Sequence, residues 1–288
     1  MKSASRMESI EQLRVEIQRS VAAALAEDIG TGDLTARLIP NASEARGRVI
    51  TREDAVLCGT DWFNAAFETL DPTATILWHA KDGDRLEAGQ SLCDVVAGAR
   101  ALLTAERAAL NFLQLLSGTA TLTRRYVDTV AGTRAKIVDT RKTLPGLRLA
   151  QKYAVGVGGG TNHRIGLYDG ILIKENHIIA AGGVAEVLAE AQRIAPSNVF
   201  IEIEVETLKQ LATALDAGAR MILLDNMTLE QMAEAVRITD GKAELEASGG
   251  VSLDRVRAIA ETGVDRISIG GLTKDVRAID LSLRHIED

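Results

Sequence analysis

Apolar and polar positions along the chain follow two different rhythms. In the first part the periods are mixed. A helical spacing opens the chain, with apolar residues at Leu13, Val15, Ile17, Val21 and Leu25, and it stops before the turn-rich EDIGTGDLT. Strand-like runs follow in RGRVITR, TILWHA and SLCDVVAG. The last two are joined by KDGDRLEAGQ, where Gly83 and Gly89 suit turns with positive φ. ALLTAERAALNFLQLLSGTATLTRRYVDTV then reads as strongly helical, with Ser117-Gly118 lying between two helices or within one.

From residue 135 the rhythm changes. Short apolar runs, each ending in a polar or charged residue, alternate with amphipathic helices. The runs are AKIVDT, GILIKEN, FIEIEV, MILLDN, LEASGG and DRISIG. The helices include TLKQLATALDAG, TLEQMAEAVRIT and SLDRVRAIAETG. Thr207 with Gln210, and Thr228 with Gln231, have the spacing of a capping box. Near-continuous apolar strands followed by capped helices predict parallel β/α units. Six such strands are fewer than the eight of a full barrel. The expected fold is therefore α/β: an irregular, incomplete α/β barrel over residues 118–271, preceded by an α+β sandwich domain over 1–117. The tail, 272–288, closes the barrel or returns to the first domain; the pattern leaves both open.

Composition narrows the function. A net charge of −7 and 3% aromatic residues disfavour nucleic-acid partners and acidic membrane surfaces. No apolar run approaches the roughly 20 residues of a membrane span. The first residues carry acids and amphipathic spacing rather than a signal peptide's apolar core. Cys58 and Cys93 lack metal-ligand or redox spacing and read as a reduced pair, so a cytoplasmic location is expected.

In α/β barrels the chemistry gathers at the carboxyl ends of the strands. Those ends here carry Asp139, Arg141 and Lys142, then Lys174, Glu204, Asp225, Ser248-Gly249-Gly250 and Gly270-Gly271. Glycine pairs on the last two strands suit a phosphate, because bare backbone lets N–H groups approach its oxygens. Glu204 and Asp225 offer hard oxygens for acid–base work or for magnesium beside a polyphosphate. Metal ligation by cysteine or histidine is not expected. Between Asp139 and His177 stand Arg141, Lys142, Arg148, Lys152, Arg164 and Lys174, a local excess of positive charge suited to a small polyanion. VGVGGGTNHR within that span is too glycine-rich for a helix. It reads as a loop folding His163 and Arg164 over the mouth.

The chain resembles the quinolinate phosphoribosyltransferases, the decarboxylating enzymes also called nicotinate-nucleotide pyrophosphorylases. The likeness runs over nearly the whole chain, through EDIGTGDLT, TAERAALNFLQLLSGTAT, DTRKTLPGLR, KYAVGVGGGTNHR, LIKENH, EIEVE, LLDNM, EASGG and ISIGGLT. It implies transfer of phosphoribosyl from 5-phosphoribosyl-1-pyrophosphate to quinolinate, with loss of CO2 and pyrophosphate, giving nicotinate mononucleotide for de novo NAD biosynthesis. It also implies magnesium and a homodimer or dimer-based oligomer. On that resemblance Arg141, His163, Arg164 and Lys174 surround the quinolinate carboxylates, joined by Arg107 from the neighbouring subunit. Lys142 lies near the pyrophosphate or ribose, and Glu204 and Asp225 hold ribose hydroxyls and magnesium. Ser248, Gly249, Gly250, Gly270 and Gly271 cradle the 5′-phosphate. Lys142, Lys174, Glu204 and Asp225 form the catalytic set. The alternatives are a related transferase acting on another acid, a barrel using Lys174 as a Schiff-base amine, and a silent ligand-binding protein.

Overall fold

A computed structural model describes residues 2–40 and 43–286. The chain divides into two compact units, one comprising Met1–Leu122, Leu144–Gly159 and Asp275–Asp288, the other Thr123–Thr143 and Gly160–Lys274. Residues 144–159, expected within the barrel, thus cluster with the first unit.

The first unit opens with the helix Lys2–Ile29, which runs three residues into the expected turn. Ile17, Val21 and Leu25 are buried at successive helical turns, whereas Val15 is exposed. Strands β1 (Glu44–Thr51), β3 (Thr75–Trp78) and β5 (Ser91–Gly98) form an antiparallel sheet in which β5 lies between the other two. The short strands β2 (Ala55–Val56) and β4 (Arg85–Leu86) pair separately. Gly83 and Gly89 take φ of +96° and +89°, as their turns require. The helix Thr60–Leu70 buries Trp62, Phe63 and Phe67, each worth about 1.5–3 kcal/mol relative to exposure. Both cysteines are buried free thiols, with pKa values raised chiefly by burial.

The long helical stretch is one unbroken helix, Ala99–Thr129. Ser117 and Gly118 do not interrupt it. The Ser117 hydroxyl is buried, accepts the Cys58 N–H at 2.9 Å and donates to the Cys58 carbonyl at 3.1 Å. Gly118 is there for space, since a Cβ would overlap the Arg277 carbonyl oxygen. The helix Arg148–Val157 likewise extends into the glycine-rich segment, so that loop begins only at Gly158.

In the second unit all six expected strands form and run parallel. They are β6 (Lys136–Val138), β7 (Gly170–Ile173), β8 (Phe200–Val205), β9 (Met221–Asp225), β10 (Glu244–Ser248) and β11 (Arg266–Ser268). Their spatial order is β6-β11-β10-β9-β8-β7, so the first strand pairs with the last, as in a barrel. Among the described residues β6 and β7 do not pair; beside β6, Thr161 instead makes a parallel bridge to Val138. Both predicted capping boxes are present. Thr207 and Thr228 accept the N–H groups of Gln210 and Gln231 at 3.2 Å, and the glutamine side chains return the bond.

The tail joins the first unit, where β12 (Leu281–His285) pairs antiparallel with β1 along its other edge.

Candidate active site

Strand ends in the second unit converge on a cavity of about 320 Å³ lined by Asp139, Thr140, Arg141, Lys142, His163, Arg164, Leu172, Lys174, Glu204, Leu223, Glu246, Ser248 and Ser268. Seven of the expected site residues meet here: Arg141, Lys142, His163, Arg164, Lys174, Glu204 and Ser248. Of the six cations in the basic span, four line the cavity. The other two, Arg148 and Lys152, lie on the helix Arg148–Val157 of the first unit.

Local bonds fix three of the four cations. Lys142 donates its N–H to the Thr140 hydroxyl at 3.0 Å, and its carbonyl accepts the Thr273 hydroxyl at 2.7 Å. Its side chain passes so close to Gly270 that a Cβ there would sit 3.0 Å from the Lys142 Cδ. Asp169 accepts the N–H groups of Ile165 and Gly166 at 2.7 and 2.8 Å, and the Arg164 guanidinium donates to the Gly170 carbonyl at 3.0 Å. Burial first, then the charge of Arg141, lowers the Arg164 pKa from its ordinary value. Lys174 precedes the helix Glu175–Ala181, and its N–H is accepted by the His177 Nδ1 at 2.9 Å. Its ammonium stands 3.3 Å from the Glu204 carboxylate.

His163 is not carried on a lid. The Thr161 N–H donates to the Ile137 carbonyl at 2.8 Å, and the His163 N–H donates to the buried Asp139 carboxylate at 2.8 Å. The other Asp139 oxygen accepts the Asn162 amide at 2.6 Å. These bonds stitch the segment to β6. His163 is buried, with its ring edge-on to Phe200 at 5.4 Å. The Nδ1 of His163 accepts the Arg164 N–H at 2.7 Å, which places the ring N–H on Nε2. That nitrogen lies 2.7 Å from Glu202 and 3.9 Å from Glu246, both essentially inaccessible to solvent.

His163, Glu202 and Glu246 thus bring possible metal-ligating atoms within 4.8 Å of one another. A metal would need an electron pair at Nε2, but the amide on Nδ1 leaves the proton there. The cluster is therefore arranged for hydrogen bonding rather than for metal ligation. Burial, then repulsion from Glu202, pushes the Glu246 pKa up to about 7 against the opposing pull of His163 and Arg266. The Arg266 guanidinium donates to Glu246 at 2.9 Å.

Glu202 and Glu246 are not among the expected site residues, since both lie within strands rather than at their ends. A signal existed in FIEIEV, where alternation puts Glu202 on the face of Glu204.

Five expected residues lie outside the cavity lining but close by in sequence and register. Asp225 ends β9 opposite Ser248 and two residues beyond Leu223, which does line the cavity, so the pleat turns both to one face. Gly249 and Gly250 follow Ser248 with φ of +97° and +56°. Gly270 and Gly271 follow β11, and Gly271 starts a single helical turn. Arg107 belongs to the first unit, where it lines a separate cavity of about 380 Å³ with Arg19, Glu27, Asn111 and Leu147 among others.

The fold and site define an α/β-barrel protein with a cationic pocket at the strand ends. Two family profiles cover the chain: the N-terminal domain of quinolinate phosphoribosyl transferase matches residues 33–117 and the C-terminal domain matches 119–284. A nicotinate-nucleotide pyrophosphorylase [carboxylating] of Mycobacterium leprae is 45% identical over 270 residues, covering 90% of this chain and 94% of that protein. A probable nicotinate-nucleotide pyrophosphorylase [carboxylating] of Bacillus subtilis is 42% identical over 257 residues, 89% of each chain. The solved nicotinate-nucleotide pyrophosphorylase from Francisella tularensis superposes with a TM-score of 0.91 at 46% identity, over 94% of this chain and 96% of that one. The chain belongs to the quinolinate phosphoribosyl transferase family.

Proposed function

We infer that this chain transfers the phosphoribosyl group of 5-phosphoribosyl-1-pyrophosphate to quinolinate with decarboxylation, giving nicotinate mononucleotide, CO2 and pyrophosphate, a step of NAD biosynthesis. The observation that carries this reading is the convergence of Arg141, Lys142, Arg164 and Lys174 on one cavity of a family member. Two guanidinium forks and two ammonium groups match a dicarboxylate and a polyphosphate better than a single acid.

Arg141, Arg164 and Lys174 hold the two ring carboxylates and so aim the pyridine nitrogen at the ribose C1. His163 forms a wall and orients Arg164, because both its nitrogens are engaged within the chain. Lys142 neutralises charge on the departing pyrophosphate while positive charge develops at C1. The backbone N–H groups of Gly249, Gly250, Gly270 and Gly271, with Ser248, take the 5′-phosphate. Glu204 and Asp225 supply hard carboxylate oxygens from adjacent strands, which fits a magnesium ion held by one or two carboxylates and substrate phosphates. That ion would neutralise pyrophosphate oxygens as the bond breaks. Lys174 must exchange Glu204 for a ligand carboxylate as the site fills.

Once the nitrogen carries the ribose, the pyridinium accepts the electrons released as the 2-carboxylate leaves, and C2 takes up a proton. Ribosyl transfer therefore comes first. No helix among the described residues is long and apolar enough to cross a membrane. The Arg107 cavity fits the reading that a second copy docks there and receives Arg107 in its own site, as a homodimer.

The deciding assay offers quinolinate and nicotinate as competing acceptors with phosphoribosyl pyrophosphate and magnesium. Nicotinate mononucleotide and CO2 are expected from quinolinate alone. Turnover of nicotinate would move the substrate, and CO2 release without phosphoribosyl pyrophosphate would overturn the order of steps.

A further inference from the structure

Among the described residues only Asn226 and Asp240 are non-glycine residues with positive φ. Asp240 ends a helix, where a left-handed residue is ordinary. Asn226 instead follows β9 directly, at φ +54°, between the Asp225 carboxylate and the turn after β10. Asparagine tolerates this backbone better than most residues, and its amide can donate and accept at once.

It is engaged on both sides. Its N–H donates to the Ser248 carbonyl at 3.0 Å, carrying the β9–β10 ladder one step past the last paired residues. Its side-chain amide donates to the Asp225 Oδ2 at 2.8 Å. Its side-chain oxygen occupies the space over Gly249, where a Cβ would overlap it. Gly249 is therefore required twice, for a φ of +97° and for room beside Asn226.

We propose that Asn226 is a positioning residue that sets the Asp225 carboxylate against the Gly249–Gly250 turn. On the reading above, which this inference rests on, Asp225 serves the ribose and magnesium while the turn serves the 5′-phosphate. Asn226 then fixes the separation between two parts of one ligand. Its loss should weaken phosphoribosyl pyrophosphate and leave quinolinate alone.

The test measures binding rather than turnover, by calorimetry on the full chain with phosphoribosyl pyrophosphate and magnesium, and separately with quinolinate. Asn226→Gly tolerates the left-handed backbone and removes the side chain with its amide. Its Kd for phosphoribosyl pyrophosphate should rise about tenfold, the loss of one hydrogen bond to a charged group. Its Kd for quinolinate should stay within about twofold of the parent, since that ligand's contacts are untouched. Asn226→Ala should weaken phosphoribosyl pyrophosphate similarly and also lower the Tm, because it strains the backbone. In an Asp225→Asn background Asn226→Gly should add little, because the residue acts through Asp225.

Unchanged phosphoribosyl pyrophosphate binding in Asn226→Gly, or equal weakening of both ligands, overturns the proposal. If the parent binds phosphoribosyl pyrophosphate but does not convert quinolinate, the activity reading falls and the Kd comparison still decides the role of Asn226. If the parent binds no phosphoribosyl pyrophosphate, both fall.

Discussion

The Nε2 of His163, in the wall of the cationic cavity, lies 2.7 Å from the Glu202 carboxylate, and both side chains are buried. The pair fixes a histidine that also accepts the backbone N–H of Arg164. Glu202→Leu removes the acceptor and strands the ring N–H. Glu202→Gln keeps an acceptor and removes one of two like charges facing each other. The glutamine variant should be more stable than the leucine variant by about 1–3 kcal/mol in urea unfolding. Equal stabilities would show that the hydrogen bond contributes nothing.

Glu246 gives the barrel a pH dependence of definite sign. Its folded pKa, raised to about 7, exceeds that of the unfolded chain, so the folded state binds the extra proton. The stability linked to that proton is present in acid and is lost as pH rises from about 4.5 to about 7, on the order of a few kcal/mol. Glu246→Gln should flatten this slope and raise the Tm at pH 8, with Glu244 still 3.8 Å from Arg266 to offset the lost charge. A variant with the same slope as the parent would place the proton elsewhere.

Arg141→Ala should weaken quinolinate by about 10–100-fold, the scale of a charge-assisted bidentate contact, and change phosphoribosyl pyrophosphate binding far less. Loss of both ligands together would remove Arg141 from the acceptor side of the pocket.

Gly118→Ala sets two effects against each other. Alanine gains about 1 kcal/mol in helix propensity. The new Cβ would overlap the Arg277 carbonyl, and forcing an extra carbon into packed backbone costs typically 1–3 kcal/mol or more. The clash should win, with a lower Tm. A higher Tm would mean that the backbone around Arg277 yields easily.

If Arg107 serves the site of a partner copy, Arg107→Ala and Lys174→Ala proteins should each be inactive alone and regain activity when mixed through unfolding and refolding. A symmetric dimer exchanging at random restores about a quarter of the sites. No recovery would keep Arg107 within its own subunit.

Local features were the most legible in the sequence. The six parallel strands and both capping boxes depend on residues within one turn or one strand, and they formed as read. The convergence of Arg141, Lys142 and Lys174 followed from a rule about strand ends, and that of Arg164 from the charge of the glycine-rich loop. Alternation in FIEIEV put Glu202 on the face of Glu204, but the pairing of Glu202 with Glu246 was not legible because it depends on what stands across the barrel. Neither strand alone shows that a histidine ring will be placed between them. Val155, Gly156 and Val157 read as loop because of the glycines around them, yet the apolar face of the helix Arg148–Val157, with Ala150 and Ala154 in the first unit's core, carries the helix on. Ser117 and Gly118 left the long helix open to a break for the same reason: their partners, Cys58 and Arg277, are remote in sequence.

The pairing of β12 with β1 has a consequence for synthesis. The strand made last among those described completes the sheet begun by the strand made first. On a ribosome the amino-terminal unit, usually first to fold, cannot complete its sheet before the tail is made. The stretch from Thr123 to Lys274 contains every strand of the barrel, so that unit can settle while the sheet around β1 still has an open edge. Until the tail emerges, the exposed flank of β1 is the place where a nascent chain would be vulnerable to mispairing and where a chaperone would act to most effect.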